Sequence, residues 1–227
     1  MTDGKFANPL QADIQRAIDS GVDDFFELAK ILGRNPLKDF AATDLRRVNF
    51  KRAELAGVNF RRVNLSGVNL SVANLKQADL SEAILSGANF VYADLSRANL
   101  SGADLTDISL INANLRDADL RGANLQGADL RTMLPRANLS GANLIGANLC
   151  SAYLPKANLR GANLSGALLQ QAELTEVNLS EANLQGTDLK QVELGSANVE
   201  KAYFGNNLGL TNTMKIELIQ RGAIFID

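Results

Sequence analysis

Residues 116–130 read RDADL RGANL QGADL, one five-residue unit repeated with leucine at every fifth position. Neither regular element has that period. On an α-helix five residues advance about 500°, so the leucines would wander around the rod instead of lining one face. In a straight strand an odd spacing throws them onto alternate faces. A chain that buries every fifth residue on one side must therefore turn once per repeat.

The period governs most of the sequence. From Leu45 the centres fall at every fifth residue to Leu130, slip by one to Leu134, and resume from Leu139 to Phe204. Of these 33 centres 28 are Leu, and the residue two before the centre is Ala in 23 cases. If both point inward, the other three positions point outward, and a bend falls between repeats where Gly tolerates a positive φ. Four bends close a square of 20 residues, and stacking such coils about 4.8 Å apart gives a rod of about eight coils, roughly 40 Å long. The residue before the centre is Asn in 17 repeats and Asp or Glu in ten. Short polar side chains bond neighbouring backbone at turns, which accounts for them. The acids recur in successive coils only at scattered places, so they assign no metal site.

The ends follow another rule. Asn8 and Pro9 fit the N-cap and first position of a helix carrying Leu10, Ile14 and Ile18 and ending at Gly21. A second helix has Asp23 and Asp24 in its first turn, an apolar face of Phe25, Phe26, Leu28, Ala29 and Leu32, and Gly33 after its end. A hairpin this small cannot bury its own apolar face, so it should close one end of the rod. At the other end Thr211 or Asn212 can start a helix with Ile216, Leu218 and Ile219, ended by Gly222. The expected division is a helical cap over 1–39, a solenoid over 40–208 with its slip at 131–134, and a helical cap over 209–227. Capped ends favour a monomer over head-to-tail stacking.

Composition removes several chemistries. The formal charge is −2, from 23 basic and 25 acidic residues, histidine is absent, and Cys150 is the single cysteine. An intramolecular disulfide, a Cys/His zinc site and histidine-dependent catalysis are thereby excluded within one chain. No Gly-rich phosphate loop follows a strand pattern, so no catalytic residue and no cofactor is assigned. The opening residues lack a basic segment followed by an apolar run, and no apolar stretch approaches the ~20 residues of a membrane span. A cytoplasmic protein without nucleic-acid or membrane partners is expected.

Positions 20 apart should stack into columns. One face, built from KRAEL, SVANL, VYADL, INANL, RTML and CSAYL, carries Val72, Val91, Tyr92, Ile111, Met133, Cys150 and Tyr153 outward, with Pro135 and Pro155 flanking it. Val91, Tyr92, Ile111, Met133, Cys150 and Tyr153 are therefore candidates for a partner-binding face; the alternative is incidental surface around a deleted residue. Cys150 reads as an inert exposed thiol, with Arg131 its nearest candidate cation. The next face aligns Lys76, Arg97, Arg116, Arg136 and Lys156, interrupted by Asp79, Asp117 and Asp119, as a salt-bridged surface or a phosphate-tracking stripe. Arg46, Arg47, Lys51, Arg52, Arg61 and Arg62 form a basic collar at the first coils, for electrostatic docking or for neutralisation by the acidic hairpin.

The A-(N/D)-L-x-x consensus, read in GADLTDISLINANLRDADLRGANLQGADL, resembles the pentapeptide-repeat family. The flanking helices and the segment NPLKDF also resemble cyanobacterial members. The resemblance implies an all-β solenoid, a right-handed quadrilateral parallel β-helix capped by an N-terminal helical hairpin and a short C-terminal helix. It says little about function; a rigid, capped rod without cleft-forming loops suits a non-enzymatic scaffold for an unidentified protein partner. Its alternative is DNA mimicry directed at a type II topoisomerase such as gyrase, which the near-neutral charge disfavours.

Overall fold

The computed structural model describes residues 10–226. Most of that length is a right-handed quadrilateral β-helix. Residues 20 apart pair in parallel, Asn59 with Asp79, Asp79 with Asn99, and Asn99 with Asp119. Each side of the square is so short that pairing is carried by one bridge residue per repeat. Its amide reaches one coil down, as from Asp119 to the Ala98 carbonyl at 2.9 Å, and the next amide reaches one coil up, as from Leu120 to the Asn138 carbonyl at 2.7 Å.

Corners are closed by the small residue, whose amide bonds the centre carbonyl three residues earlier, as Ala118 does to Leu115 at 3.1 Å. The residue before it takes a positive φ, the mark of a type II turn. Glycine was expected there, yet Val72 (φ 62), Tyr92 (φ 60) and Arg97 (φ 59) occupy the same position. A left-handed conformation costs an L-residue roughly 1–2 kcal/mol. Ladder bonds on both sides hold it in place, since the corner amide also donates upward, Tyr92 to the Ile111 carbonyl at 3.0 Å. The polar residue before each centre acts as expected: Asn138 Oδ1 accepts from the Ser140 amide at 3.1 Å, and Asp119 Oδ1 from the Arg121 amide at 3.1 Å.

Inside, leucines and alanines fill the shaft, with Leu120 and Ala118 both buried. The three small positions held by Thr rather than Ala use their hydroxyls inward: Thr43 donates to the Phe40 carbonyl, Thr132 to Ala113 and Thr187 to Leu184. The slip is a single shortened coil. Asn114 pairs with Met133, Asp119 with Asn138 and Asp129 with Asn148, each 19 apart, before Met133 with Tyr153 restores the 20-residue register.

At the N-terminal end α1 (Gln11–Asp19) and α2 (Phe25–Ile31) sit across the open shaft. Asn8 and Pro9, expected to cap α1, lie outside the described residues. Asp24 is the N-cap of α2, accepting the Glu27 amide at 2.8 Å, so it stands before the first turn and not in it. Phe25 is the plug. Its ring lies 5.0 Å from Phe40, just before the first centre, 5.0 Å from Phe50 and 5.4 Å from Phe60. Phe26 faces partly outward and joins the cluster only at its edge.

The far end carries the expected short helix, with fewer of its apolar residues buried. Thr211 caps α3 (Asn212–Gln220), accepting from the Met214 amide, but only Leu218 of the helix is buried; Ile216 and Ile219 are 59% and 54% exposed. The last shaft residue, Phe204, is covered chiefly by Phe225, stacked on it at 5.3 Å, where β1 (Tyr203–Phe204) pairs with β2 (Ile224–Phe225) in parallel. Helix and strand cap the shaft together: Leu218 is buried in the core, Arg221 donates to the Leu194 and Ala197 carbonyls, and β2 continues the ladder bonds.

The chain passes from the last coil into this cap through Gly209, at φ 88. A Cβ there would lie 2.6 Å from the Lys190 amide nitrogen and 2.7 Å from the Leu189 carbonyl carbon. Gly209→Ala should therefore lower stability by about 3 kcal/mol in denaturant unfolding, combining backbone strain with a clash that no side-chain movement relieves. Gly57→Ala, at φ 69 with open space around it, should cost about 1 kcal/mol. Equal losses would contradict this account of the junction.

Candidate partner-binding face

The shortened coil changes one edge of the square. In that edge column the corner residues are Arg52, Val72, Tyr92 and Asn112 below, and Ser151, Gln171 and Gln191 above. Between Asn112 and Ser151 the corner residue is missing, and Arg131 runs directly into Thr132. The turn bond made by Ala113 to Leu110 and by Ala152 to Leu149, each at 3.0 Å, is replaced. Thr132 Oγ1 instead bonds the Ala113 carbonyl at 2.6 Å, alongside a long 3.3 Å bond from the Met133 amide. This explains a buried Thr at a position usually filled by Ala.

Removal of the corner leaves an open recess of about 830 Å³, lined by Tyr92, Ile111, Asn112, Arg131, Thr132, Met133, Cys150, Ser151 and Tyr153. Of the candidate face, Tyr92, Ile111, Met133, Cys150 and Tyr153 thus gather around one feature, while Val91 does not line it. Tyr92, Met133 and Tyr153 are 62%, 44% and 45% exposed. Asn112, Thr132 and Ser151 were not singled out from sequence. The missing residue itself was the signal, since a deleted corner must expose its neighbours above and below.

Two prolines explain how Met and Tyr came to stand where Asn is usual. Where the residue before the centre is Asn or Asp, it caps the amide two positions later, as Asn148 does that of Cys150 at 3.1 Å. Pro135 and Pro155 occupy those later positions after Met133 and Tyr153, and proline has no amide to cap. Its fixed φ supports the turn instead. The Pro135 carbonyl still accepts from the Asp117 amide at 3.1 Å, and that of Pro155 from Arg136 at 3.0 Å, so the ladder continues. The exchange frees two stacked positions to present apolar side chains.

Cys150 lies half-exposed in the recess, its Sγ 3.8 Å from Gln170 Oε1. Gln170 Nε2 in turn donates to Asp188 at 2.5 Å, and this bond, with Lys190 beside it, holds the Asp188 carboxyl below the ordinary range. Arg131 lines the recess with Cys150, as expected, and its guanidinium bonds Asp129 at 2.7–2.9 Å.

The collar is largely paired. Arg46 grips Asp44 at 2.7 Å, Arg47 reaches Asp19 of α1 at 2.6 Å, and Arg61 and Arg62 share Glu82 at 2.5 and 3.0 Å. Those hydrogen bonds depress the carboxyls of Asp19 and Glu82. Lys51 and Arg52 form no ion pair among the described residues. The neighbouring basic stripe is likewise interrupted, by Asp117 as expected and also by Asp94 and Glu176. Lys76 pairs with Asp94 at 3.3 Å, Arg136 with Asp117 at 2.6 Å and Lys156 with Glu176 at 3.6 Å. Asp119 turns to Arg121, and Asp79 to Ser81 and Asn99. Exposed pairs of this kind contribute at most about 1 kcal/mol each, and their alternating signs cancel the field a polyanion would follow.

Among the described residues no helix is long and apolar enough to cross a membrane. No curated protein matches the chain. Among solved structures it is similar to HetL, a pentapeptide repeat protein involved in heterocyst differentiation regulation from the cyanobacterium Nostoc sp. strain PCC 7120: 31% identity over 87% of this chain and 89% of that one, TM-score 0.40. A second pentapeptide repeat protein from Nostoc PCC 7120 is 35% identical over 48% of this chain and 84% of its own, TM-score 0.39. QnrB1, a plasmid-mediated fluoroquinolone resistance protein, is 22% identical over 69% and 90%, TM-score 0.37. The model of pentapeptide repeats matches residues 39–71, 64–107, 98–132, 134–171 and 172–206. Those matches break at residue 133, within the shortened coil, and with the five-residue ladder on either side of it the chain belongs to the pentapeptide-repeat family.

Proposed function

We propose that this protein is a non-catalytic interaction scaffold, whose rigid rod presents the face around residues 131–134 to a protein partner. One observation carries the reading: the one shortened coil among the described residues coincides with a recess whose rim exposes Tyr92, Met133 and Tyr153. Tyrosine and methionine are the side chains that protein interfaces favour, giving large contact area at modest entropic cost. Two of the other edges carry ion pairs, which suit solvent better than a desolvated interface.

The test is an affinity pull-down from extract of the source organism, comparing wild type with two folded variants. One carries Tyr92→Ser, Met133→Ser and Tyr153→Ser; the other reverses Arg46, Arg47, Arg61 and Arg62 to Glu. Loss of a specific partner with the first variant and its retention with the second is the expected result. Loss with the collar variant alone would move the interface to the paired arginines, and recovery of gyrase subunits would turn the reading to DNA mimicry.

A further inference from the structure

From Arg52 to Gln171 each corner present in the recess column donates its amide to the coil above: Val72 to the Val91 carbonyl at 2.9 Å, Tyr92 to Ile111 at 3.0 Å, Asn112 to Arg131 at 2.9 Å, and Ser151 to Gln170 at 2.9 Å. By the same register the Cys150 carbonyl faces the coil of residues 131–134, and the residue that would donate to it is the deleted one. A main-chain acceptor thus lies at a recess lined by Tyr92, Ile111, Met133 and Tyr153 with the polar Asn112 and Arg131 among them. An acceptor beside such apolar side chains rewards a ligand that brings both an N–H and a hydrocarbon group.

We propose that the missing corner is supplied in trans: an extended segment of a protein partner seats one apolar side chain in the recess and donates its main-chain N–H to the Cys150 carbonyl. The inference rests on the scaffold reading and specifies its partner. Recognition through the ladder's own hydrogen bond is strand addition reduced to a single rung. It selects peptide over lipid or small hydrocarbon, because neither of those carries a directed N–H.

The experiment uses the whole chain and a phage-displayed library of linear twelve-residue peptides, with synthetic versions of the selected binders. A glycine inserted between Arg131 and Thr132 restores the 20-residue coil, leaves Thr132 at its small inward position, and fills the corner with the residue most at ease at positive φ. Selected peptides should bind wild type and lose at least tenfold in affinity for the insertion variant. N-methylation of one peptide amide, next to an apolar residue, should also cost at least tenfold on wild type, a measurement that needs no protein variant. Failure to select any binder, or binding unaffected by both changes, would overturn the proposal. A partner lost with the serine triple variant yet indifferent to the glycine insertion would keep the scaffold reading and remove the trans rung.

Discussion

Phe25→Ala is expected to cost about 3–5 kcal/mol, the usual price of deleting a buried ring from a packed core. Phe25 is fully buried and touches the rings of Phe26, Phe40, Phe50 and Phe60, so its loss leaves a cavity bounded by aromatic faces that cannot collapse together. Each ring pair adds about 0.5–1.5 kcal/mol beyond area burial. Because each coil touches only its neighbours, the loss should be local. Amide hydrogen exchange should show the first coils, around Leu45 to Leu65, opening well before the middle of the rod, whereas Phe26→Ala should leave them protected. Uniform acceleration along the whole rod would contradict a plug-like cap.

The second large effect lies in the shaft. Leu120→Ala should cost about 2–5 kcal/mol, and Ala118→Leu about 1–3 kcal/mol from overpacking. Both side chains are buried and enter the same shaft from one repeat, so the double variant exchanges volume instead of adding defects. Its loss in denaturant unfolding should fall below the sum of the single losses by about 0.5–3 kcal/mol, the range for residues in contact. Strict additivity would mean that the two positions do not share the same space.

These expectations were legible because the repeat is its own structural rule. The centre leucines and the alanines two before them define the inward side, and Asn or Asp before the centre identifies the turn bond. What could not be read was energetic compensation. Nothing in the five-residue pattern says that Val72 and Tyr92 will take a left-handed corner, because coils above and below override the local preference. Apolar spacing likewise suggested that Ile216 and Ile219 would help Leu218 cover the far end, whereas ladder continuity gives their place to Phe225. The candidate face was visible as residues but not as a shape. Its recess follows from one absent residue, and the pairing of Met133 with Pro135 and of Tyr153 with Pro155 acquires meaning only once the capped amide is identified. Charge was the least legible level, since side-chain reach decided that Glu82 would join Arg61 and Arg62 and that Arg131 would fold onto Asp129.

The most direct measurement is site-specific photo-crosslinking in the living cell, with a benzophenone amino acid placed singly at Tyr153, beside the recess, or at Arg160, on the diagonally opposite corner. The account predicts one discrete protein adduct from position 153, abolished by the glycine insertion after Arg131, and none from position 160. An adduct from position 160 with none from position 153 would contradict it.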